Sequence, residues 1–263
     1  MIDQFLDYMR YERNRSEETI IRYAQSLRAF ESYMATLDDA QMTWQTVDAD
    51  VIRDWMEQLL DEGAKATTVN THLSALRSFY RFALIRKLVE RDPAHLITGP
   101  KKSKPLPQFL REGEMDRLLD EVEWTDNYKD VLARTLLLLL YETGIRLSEL
   151  IGLDDTAVDF NTMQLRVTGK RDKQRIIPFG EELATALKRY MELRDETVNK
   201  QSPAVLLTAK GMRLSKGQVH HIVKKHLSRV TTLKKRSPHV LRHTFATAML
   251  NHQAGLESVK KLL

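Results

Sequence analysis

Ser237-Pro238-His239-Val240-Leu241-Arg242-His243-Thr244-Phe245-Ala246-Thr247 predicts a helix that carries a histidine and an arginine on one face. Ser237 is a preferred N-cap residue, and proline suits the first helical position. His239 and Arg242 are three residues apart, so they are neighbours on the helix surface. An adjacent apolar face is formed by Leu241, Phe245, Ala248 and Met249. Because free amides at a helix start attract phosphate, the stretch predicts an anion-binding helix end on a buried support.

The composition is that of a folded protein without disulfide bonds or a membrane-spanning segment. The chain has 263 residues, enough for two domains with their own cores, and it has no cysteine, which excludes disulfides and thiolate metal sites. The longest apolar run, around Leu136 to Leu140, is shorter than the ~20 residues that span a bilayer. The N-terminus is polar and has no signal-peptide pattern. We therefore expect a cytoplasmic protein with no membrane association.

Charge divides the chain into two parts. Residues 1–100 carry 12 Lys and Arg against 16 Asp and Glu, whereas residues 101–263 carry 29 against 20. A basic domain favours a polyanionic partner, nucleic acid first, although solubility alone also accounts for a modest excess.

Hydrophobic periodicity predicts a four-helix bundle over residues 1–98. The first helix is short and centred on Phe5 to Met9; Ser16 caps the second, Asp48 or Asp50 opens the third, and Thr67 or Thr68 starts the fourth. The polar face of the fourth helix, with Arg77 and Arg81, either lies against phosphates or is simply solvated. Residues 99–108 contain three prolines and three lysines, which predicts a basic linker.

Residues 109–263 read as a second, mostly helical domain with a small antiparallel sheet. Gly144 suits the left-handed position that ends a helix. Alternation over Met163 to Thr168 and Arg175 to Phe179, with a turn between, predicts a β-hairpin with a basic tip. Helices are expected at Phe109 to Leu119, Tyr128 to Thr143, Leu147 to Ile151, Glu181 to Arg194, Ser215 to Arg229, Pro238 to His252 and Leu256 to the end.

Taken singly, the chemically interesting side chains of this domain have ordinary explanations. Arg146 and Glu149 are spaced for a surface ion pair, and Lys170 lies in a turn that is basic throughout. His239 and His243 have the spacing of two metal ligands, but no third ligand is apparent and Arg242 between them would repel a cation. The chain also lacks both glycine-rich nucleotide-binding motifs. Two arginines, a lysine and a histidine remain, which is equipment for stabilising a phosphoryl transition state without a metal.

These motifs resemble the tyrosine site-specific recombinases of the phage-integrase family, most closely the Xer type. The resemblance covers the whole chain and rests on Thr143 to Leu150, Gly169-Lys170, Arg175 to Pro178 and Pro238 to Thr247. It implies a mainly α fold, in which a four-helix, SAM-like core-binding domain precedes a mostly helical catalytic domain with a small antiparallel β-sheet. It also implies strand cutting and rejoining through a 3′-phosphotyrosyl link, with no cofactor and no metal.

The resemblance assigns roles residue by residue. Arg146 and Arg242 resemble the pair that grips the scissile phosphate, and Glu149 the acidic residue that supports the first arginine. Lys170 resembles the general acid and His239 the histidine that assists proton transfer.

The family pattern continues into a Gly-His pair and a nucleophilic tyrosine, whereas the eight tyrosines here all precede Arg242. We therefore expect a C-terminally truncated form that binds DNA without cleaving it, and that is monomeric in solution because the family's tail docks into a neighbouring protomer.

The implied partner is double-stranded DNA with inverted recombinase-binding arms, bound by four protomers on paired sites at the nucleoid. Affinity is expected to come from phosphate contacts and to fall with salt. The candidates for such contacts are Arg77, Arg81, Lys101, Lys102, Lys104, Lys224, Lys225, Lys234, Lys235 and Arg236. Dimer resolution during chromosome partition and cell division is the expected task. An integrase of a mobile element and a non-catalytic DNA-binding regulator remain open, and a type IB topoisomerase fits the domain order less well.

Overall fold

The computed structural model describes residues 1–37, 42–103, 106, 108–111, 113–169 and 173–251. The chain divides into two compact units, Met1–Pro105 and Leu106–Leu263. Both units are mainly helical, and the second also contains a small antiparallel sheet, which confirms the predicted fold class.

The described residues of the first unit form four helices around an aromatic core. They are α1 (Ile2–Asp7), which continues into a wider turn over Tyr8–Glu12, α2 (Glu17–Met34), α3 (Ala49–Asp61) and α4 (Ala66–Ile85). The core centres on Phe30, whose ring lies 4.9 Å from that of Trp55, and on Trp44, whose ring lies 4.5 Å from that of Phe79. Such rings bury large apolar areas in tilted contacts, which compensates for the small size of the unit.

The helix starts of this unit use different capping chemistry. Asp48 caps α3 as predicted, because its Oδ1 accepts from the amides of Asp50 and Val51 at 2.9 and 3.0 Å. Ser16 precedes α2, but its hydroxyl pairs with Thr19 Oγ1 at 2.9 Å and makes no bond to a helix amide. The prediction that α4 starts at Thr67 or Thr68 was wrong by one or two residues: it begins at Ala66, after a Lys65 that caps it only through its backbone carbonyl.

The chain after α4 packs back onto that helix. Arg77 donates through Nε to the carbonyl of Ala94 at 3.2 Å and through Nη2 to the carbonyl of Ile97. Asn70 Nδ2 donates to the carbonyl of Pro100 at 2.8 Å, and a Cβ at Gly99 would come within 2.3 Å of Asn70 Oδ1. Part of the polar face of α4 is therefore covered by the unit's own backbone.

The second unit carries the following elements. They are α5 (Glu114–Asp116), which continues into a wide turn over Arg117–Glu121, α6 (Tyr128–Thr143), α7 (Leu147–Gly152), a 3₁₀ turn (Asp155–Ala157), β1 (Val158–Asp159), β2 (Gln164–Thr168), β3 (Gln174–Pro178), α8 (Glu181–Thr197), α9 (Lys216–Leu227) and α10 (Pro238–Asn251). The expected helix from Leu256 onward lies outside the described residues.

Two features of this unit differ from expectation. The helix predicted from Phe109 to Leu119 begins only at Glu114, because Gly113 adopts φ 77° and the amide of Leu110 instead binds Thr244 Oγ1 at 2.9 Å. Strand β1 is two residues long, too short for its alternation to be visible in the sequence.

The predicted hairpin is present. Strands pair antiparallel in the order β1-β2-β3, with Leu165 opposite Ile177 and Val167 opposite Arg175. Leu165, Val167 and Ile177 are buried, so this face of the hairpin lies on the core. Among the described residues, no helix is long and apolar enough to cross a membrane.

Removing the Asp48 cap should destabilise the first unit. We expect Asp48→Ala to cost about 1 kcal/mol, because two amide donors at the start of α3 lose their acceptor. Ser16→Ala is the matched control and should cost only about a few tenths of a kcal/mol, since the Ser16 side chain makes no such bond to α2. Denaturant unfolding followed by tryptophan fluorescence measures both, and equal losses would contradict this account.

Candidate functional site

The predicted residues Arg146 and Glu149 lie together at the start of α7, where the Glu149 side chain is only 1% exposed. Glu149 Oε2 accepts from the backbone amide of Arg146 at 3.0 Å, and Oε1 accepts from its guanidinium Nη1 at 2.9 Å. The carboxylate therefore caps the helix and orients the arginine that precedes it. Almost half of the Arg146 side chain, 48%, is exposed.

A second arginine, Arg175, binds the same carboxylate from strand β3. Its Nη2 donates to Glu149 Oε2 at 2.9 Å, and its Nη1 donates to Oε1. Burial alone raises the pKa of Glu149, but the hydrogen bonds from Arg175 and then Arg146 outweigh it and hold the pKa below the ordinary 4.5. Glu149 is therefore an anion shared by two guanidinium groups.

Arg175 is the residue of this cluster whose role the sequence analysis missed: it was placed at the start of the returning strand of the hairpin and given no part in the site. The signal was available in the strand period. Arg175 lies two residues before Ile177, so both side chains point to the buried face of the hairpin. A basic side chain on a buried face needs an anionic partner, which is Glu149.

Arg242 reaches the cluster from α10. Its Nη1 donates to the backbone carbonyl of Gly144, in the turn between α6 and α7. Burial, followed by repulsion from Arg146 and Arg175, lowers the pKa of Arg242 to about 10, and Glu149 opposes that shift. The two arginines predicted to act together therefore lie close enough to repel each other.

The packing of α10 against the turn after α6 depends on Gly144. This residue adopts φ 56°, as predicted, and a Cβ there would lie 2.3 Å from the ring of Phe245. On the preceding residue of α10, Thr244 Oγ1 donates to the carbonyl of Val240 at 2.9 Å and accepts from the amide of Leu110 at the same distance. One glycine thus allows both the turn before Arg146 and the approach of the helix that carries Arg242.

His239 lies exposed in the first turn of α10, one helical turn before Arg242. Partial burial lowers the pKa of its imidazole, and the nearby His243, Lys235, Arg242 and His220 lower it further. The neutral ring is therefore favoured, as a proton acceptor requires.

The N-cap prediction for Ser237 was wrong in its chemistry. The residue precedes α10, but its Oγ is buried and has no hydrogen-bond partner within the described ranges. Its backbone carbonyl, which accepts from the amide of Val240 at 2.9 Å, does the local capping.

Lys170 lies outside the described residues. Its neighbour Gly169 directly follows β2, donates its amide to the carbonyl of Lys173 at 2.8 Å, and lies against Glu149: a Cβ at Gly169 would be 3.2 Å from Oε1. The end of the hairpin from which Lys170 follows is therefore adjacent to the Arg146–Glu149 pair.

The predicted phosphate contacts differ in exposure. Arg77 is engaged with the carbonyls of residues 94 and 97, and Arg236 is half-buried with an Nε that has no partner among the described residues. Lys104 lies outside the described residues. The others are exposed side chains, namely Arg81, Lys101, Lys102, Lys224, Lys225, Lys234 and Lys235.

Neither a metal centre nor a tyrosine is built into this site in the part of the chain that is described. That part holds no group of three histidine or acidic side chains placed to bind a metal ion. Tyr190 is fully buried, donates toward or accepts from Tyr128 at 3.2 Å and accepts from the amide of Leu207 at 3.0 Å, so it belongs to the core.

Comparisons with known proteins agree over the whole chain. Residues 108–263 match the phage integrase family model, and residues 2–87 match that of the phage integrase N-terminal SAM-like domain. Tyrosine recombinase XerC of Chlorobaculum tepidum is 35% identical, and the alignment covers 100% of this chain and 85% of that protein. Tyrosine recombinase XerD of Staphylococcus haemolyticus is 34% identical over 100% of this chain and 89% of that protein.

A solved structure shares the fold at lower identity. The integrase of transposon Tn1549, in complex with transposon right end DNA, superposes with a TM-score of 0.78 at 17% identity, covering 99% of this chain and 90% of that chain.

Acid should weaken the Glu149 cluster. The pKa of Glu149 is lower in the folded state than the ordinary 4.5. Its charged carboxylate therefore stabilises the folded state above pH 4.5, and that contribution is lost as the pH falls through the folded-state pKa. We expect Glu149→Gln to cost about 3 kcal/mol at neutral pH, because two guanidinium groups lose their anion. Urea unfolding across pH should show this difference shrinking below 4.5, and parallel wild-type and variant curves would contradict it.

Gly144→Ala should destabilise the second unit through both strain and contact. A side chain at positive φ costs about 1–2 kcal/mol, and the close approach to Phe245 adds to that. Gly113→Ala is the matched control, because Gly113 also has positive φ (77°) but no atom within 4 Å of its added Cβ. The midpoint temperature of thermal unfolding should be lower for Gly144→Ala than for Gly113→Ala. Adding Phe245→Ala to the Gly144→Ala protein should restore part of the difference. Equal losses at the two glycines would refute the contact.

Proposed function

The chain belongs to the phage integrase family, among its Xer-type tyrosine recombinases, and we propose that it acts on DNA as a site-specific recombinase. The observation that carries the proposal is the clustering of arginines. The guanidinium groups of Arg146 and Arg175 bind the carboxylate of Glu149, and that of Arg242 lies close enough to be repelled by both. Such a cluster brings many N–H donors together, and arginine pairs geometrically with the non-bridging oxygens of a phosphodiester.

The residue roles follow from chemistry and from the family. Arg146 and Arg242 bind the scissile phosphate and stabilise the negative charge that develops on it in the transition state. Stabilisation of developing charge by fixed groups is usually the largest single contribution to catalysis. His239 assists proton transfer, in keeping with its lowered pKa. Lys170 protonates the departing 5′ oxygen. Glu149 keeps Arg146 in position.

The reaction that fits these groups is transfer of the phosphoryl group to a tyrosine. The tyrosine oxygen gives its proton to His239 and attacks the phosphate, which forms a 3′-phosphotyrosyl bond and breaks the bond to the 5′ oxygen. That oxygen takes the proton of Lys170 and leaves as a 5′-hydroxyl. Another strand's 5′-hydroxyl then reverses the step, so the bond energy is conserved without ATP or metal. The last tyrosine of residues 1–263 is Tyr190, a core residue. We therefore propose that these residues form the phosphate pocket without its nucleophile.

The biological task that we propose is resolution of chromosome or plasmid dimers in the cytoplasm, at the nucleoid, by four protomers on paired sites. Similarity to proteins named XerC and XerD at 35% and 34% identity supports this choice over a mobile-element integrase. Exposed lysines of α9 and of the segment before α10 contribute phosphate contacts, so binding weakens as salt increases.

Binding to duplex DNA selected from a random pool tests the proposal. Arg146→Met and Arg242→Met should each weaken binding about 10- to 100-fold, the value of one or two charge-assisted hydrogen bonds. Arg189→Met is the matched control: Arg189 is an equally charged, 54% exposed arginine of the same unit, 3.6 Å from Asp126, and its loss should change affinity little. Equal effects at all three positions would contradict a phosphate site at the cluster.

The same duplex with a nick near the centre tests for the covalent step. Residues 1–263 should bind it and leave no denaturant-resistant protein–DNA adduct, because the pocket has no tyrosine. A stoichiometric adduct would overturn that expectation. Codons after Leu263 that encode a Gly-His pair and then a tyrosine would identify the nucleophile.

A further inference from the structure

Resting on the proposed function, we propose that Arg175 is a positioning residue for the phosphate site: by binding both oxygens of Glu149 it prevents that carboxylate from capturing Arg146. The two arginines contact Glu149 differently. Arg175 binds Oε1 and Oε2 through separate nitrogens, whereas the guanidinium of Arg146 contacts only Oε1. The strong, two-point ion pair of this cluster therefore belongs to Arg175 and not to the arginine that meets the phosphate.

Exposure supports this division of roles. The side chain of Arg175 is 18% exposed, against 48% for Arg146, although both bind a carboxylate that is 1% exposed. Arg175 lies on the buried face of β3, opposite Val167, and contacts Glu149 from the core side of the hairpin. Arg146 precedes α7 and extends toward solvent. The buried arginine neutralises the carboxylate, and the exposed one keeps donors for a ligand.

Loss of Arg175 changes the balance around Glu149. Its carboxylate would be buried with one cation instead of two, and an under-compensated buried anion is costly. The nearest remaining guanidinium is that of Arg146, which already contacts Oε1 and needs only to rotate to contact both oxygens. That rotation would direct its fork inward, so the phosphate would lose its bidentate partner.

The same contact connects the hairpin to the site. Arg175 in β3 and Gly169 directly after β2 both lie against Glu149 Oε1. Lys170 follows Gly169 in sequence. Positioning of Arg146 and of the hairpin therefore depends on one carboxylate and its Arg175 partner.

A methylphosphonate scan of the selected duplex tests the proposal without a covalent step. Replacing one phosphate at a time by the neutral methylphosphonate gives, for each position, the ratio of Kd for the neutral and charged duplexes. The wild-type protein should show one position with a ratio of about 10 to 100, and Arg146→Met should reduce that ratio to near 1. If no position has a ratio that depends on Arg146, the proposed function fails, whatever Arg175 does.

Given such a position, Arg175→Met decides the inference. We expect it to lower the ratio about tenfold, and to lower it little further when Glu149→Gln is already present, because Arg175 acts through Glu149. A ratio that falls equally in both backgrounds would mean that Arg175 contacts the phosphate itself and would overturn the proposal. An unchanged ratio with weaker binding to both duplexes would mean a merely structural role and would also overturn it.

Two further variants keep the test decisive. Arg175→Lys preserves the charge and so the fold, but a single ammonium cannot reproduce the two-nitrogen fork, so we expect a ratio between those of the wild type and Arg175→Met. If Arg175→Met does not fold, Arg175→Lys replaces it in the double-variant comparison. Arg166→Met is the matched control, because Arg166 is an exposed arginine on the partner strand, opposite Ile176, and should leave the ratio unchanged.

Discussion

The second unit depends on one buried carboxylate that is shared by two arginines. Glu149 is almost inaccessible, and an isolated carboxylate in that position would be strongly destabilising. It is stable only because Arg146, directly before α7, and Arg175 of strand β3 both bind it. The helix start and the hairpin are therefore held together by a contact that neither makes alone, and removing one partner costs more than the contact itself contributes.

Much of this arrangement could be predicted from the sequence, since it follows from local rules. Helix α6 ends where Gly144 supplies a left-handed residue, and the hairpin follows from alternation on either side of a turn. The pairing of Arg146 with Glu149 follows from their three-residue spacing. The proximity of Arg242 to Arg146 does not follow from any local rule, because 96 positions separate them in sequence, and only the family resemblance indicated it.

The features that were missed depend on tertiary contacts. Arg175 was placed in the returning strand without a role at the site, because only the burial of that face in the folded unit makes Glu149 its partner. Ser237 has the right type and position for a cap, yet burial of its hydroxyl leaves the backbone carbonyl to do the capping. Phe109 continues an apolar pattern, but the amide of Leu110 is taken by Thr244. For Arg175 and Leu110 a contact from a distant segment, and for Ser237 burial of the hydroxyl, overrides the local preference.

The three arginines of the cluster donate to acceptors of different charge. Arg146 and Arg175 share the carboxylate of Glu149, whereas Arg242 donates to a neutral carbonyl, that of Gly144. A carboxylate in place of that carbonyl would hold Arg242 equally well, but it would add negative charge where the proposed phosphodiester binds. Burial, followed by repulsion from Arg146 and Arg175, lowers the pKa of Arg242. In the proposed function, an anion bound among the arginines relieves that repulsion, so part of the energy that assembles this cluster is recovered on binding.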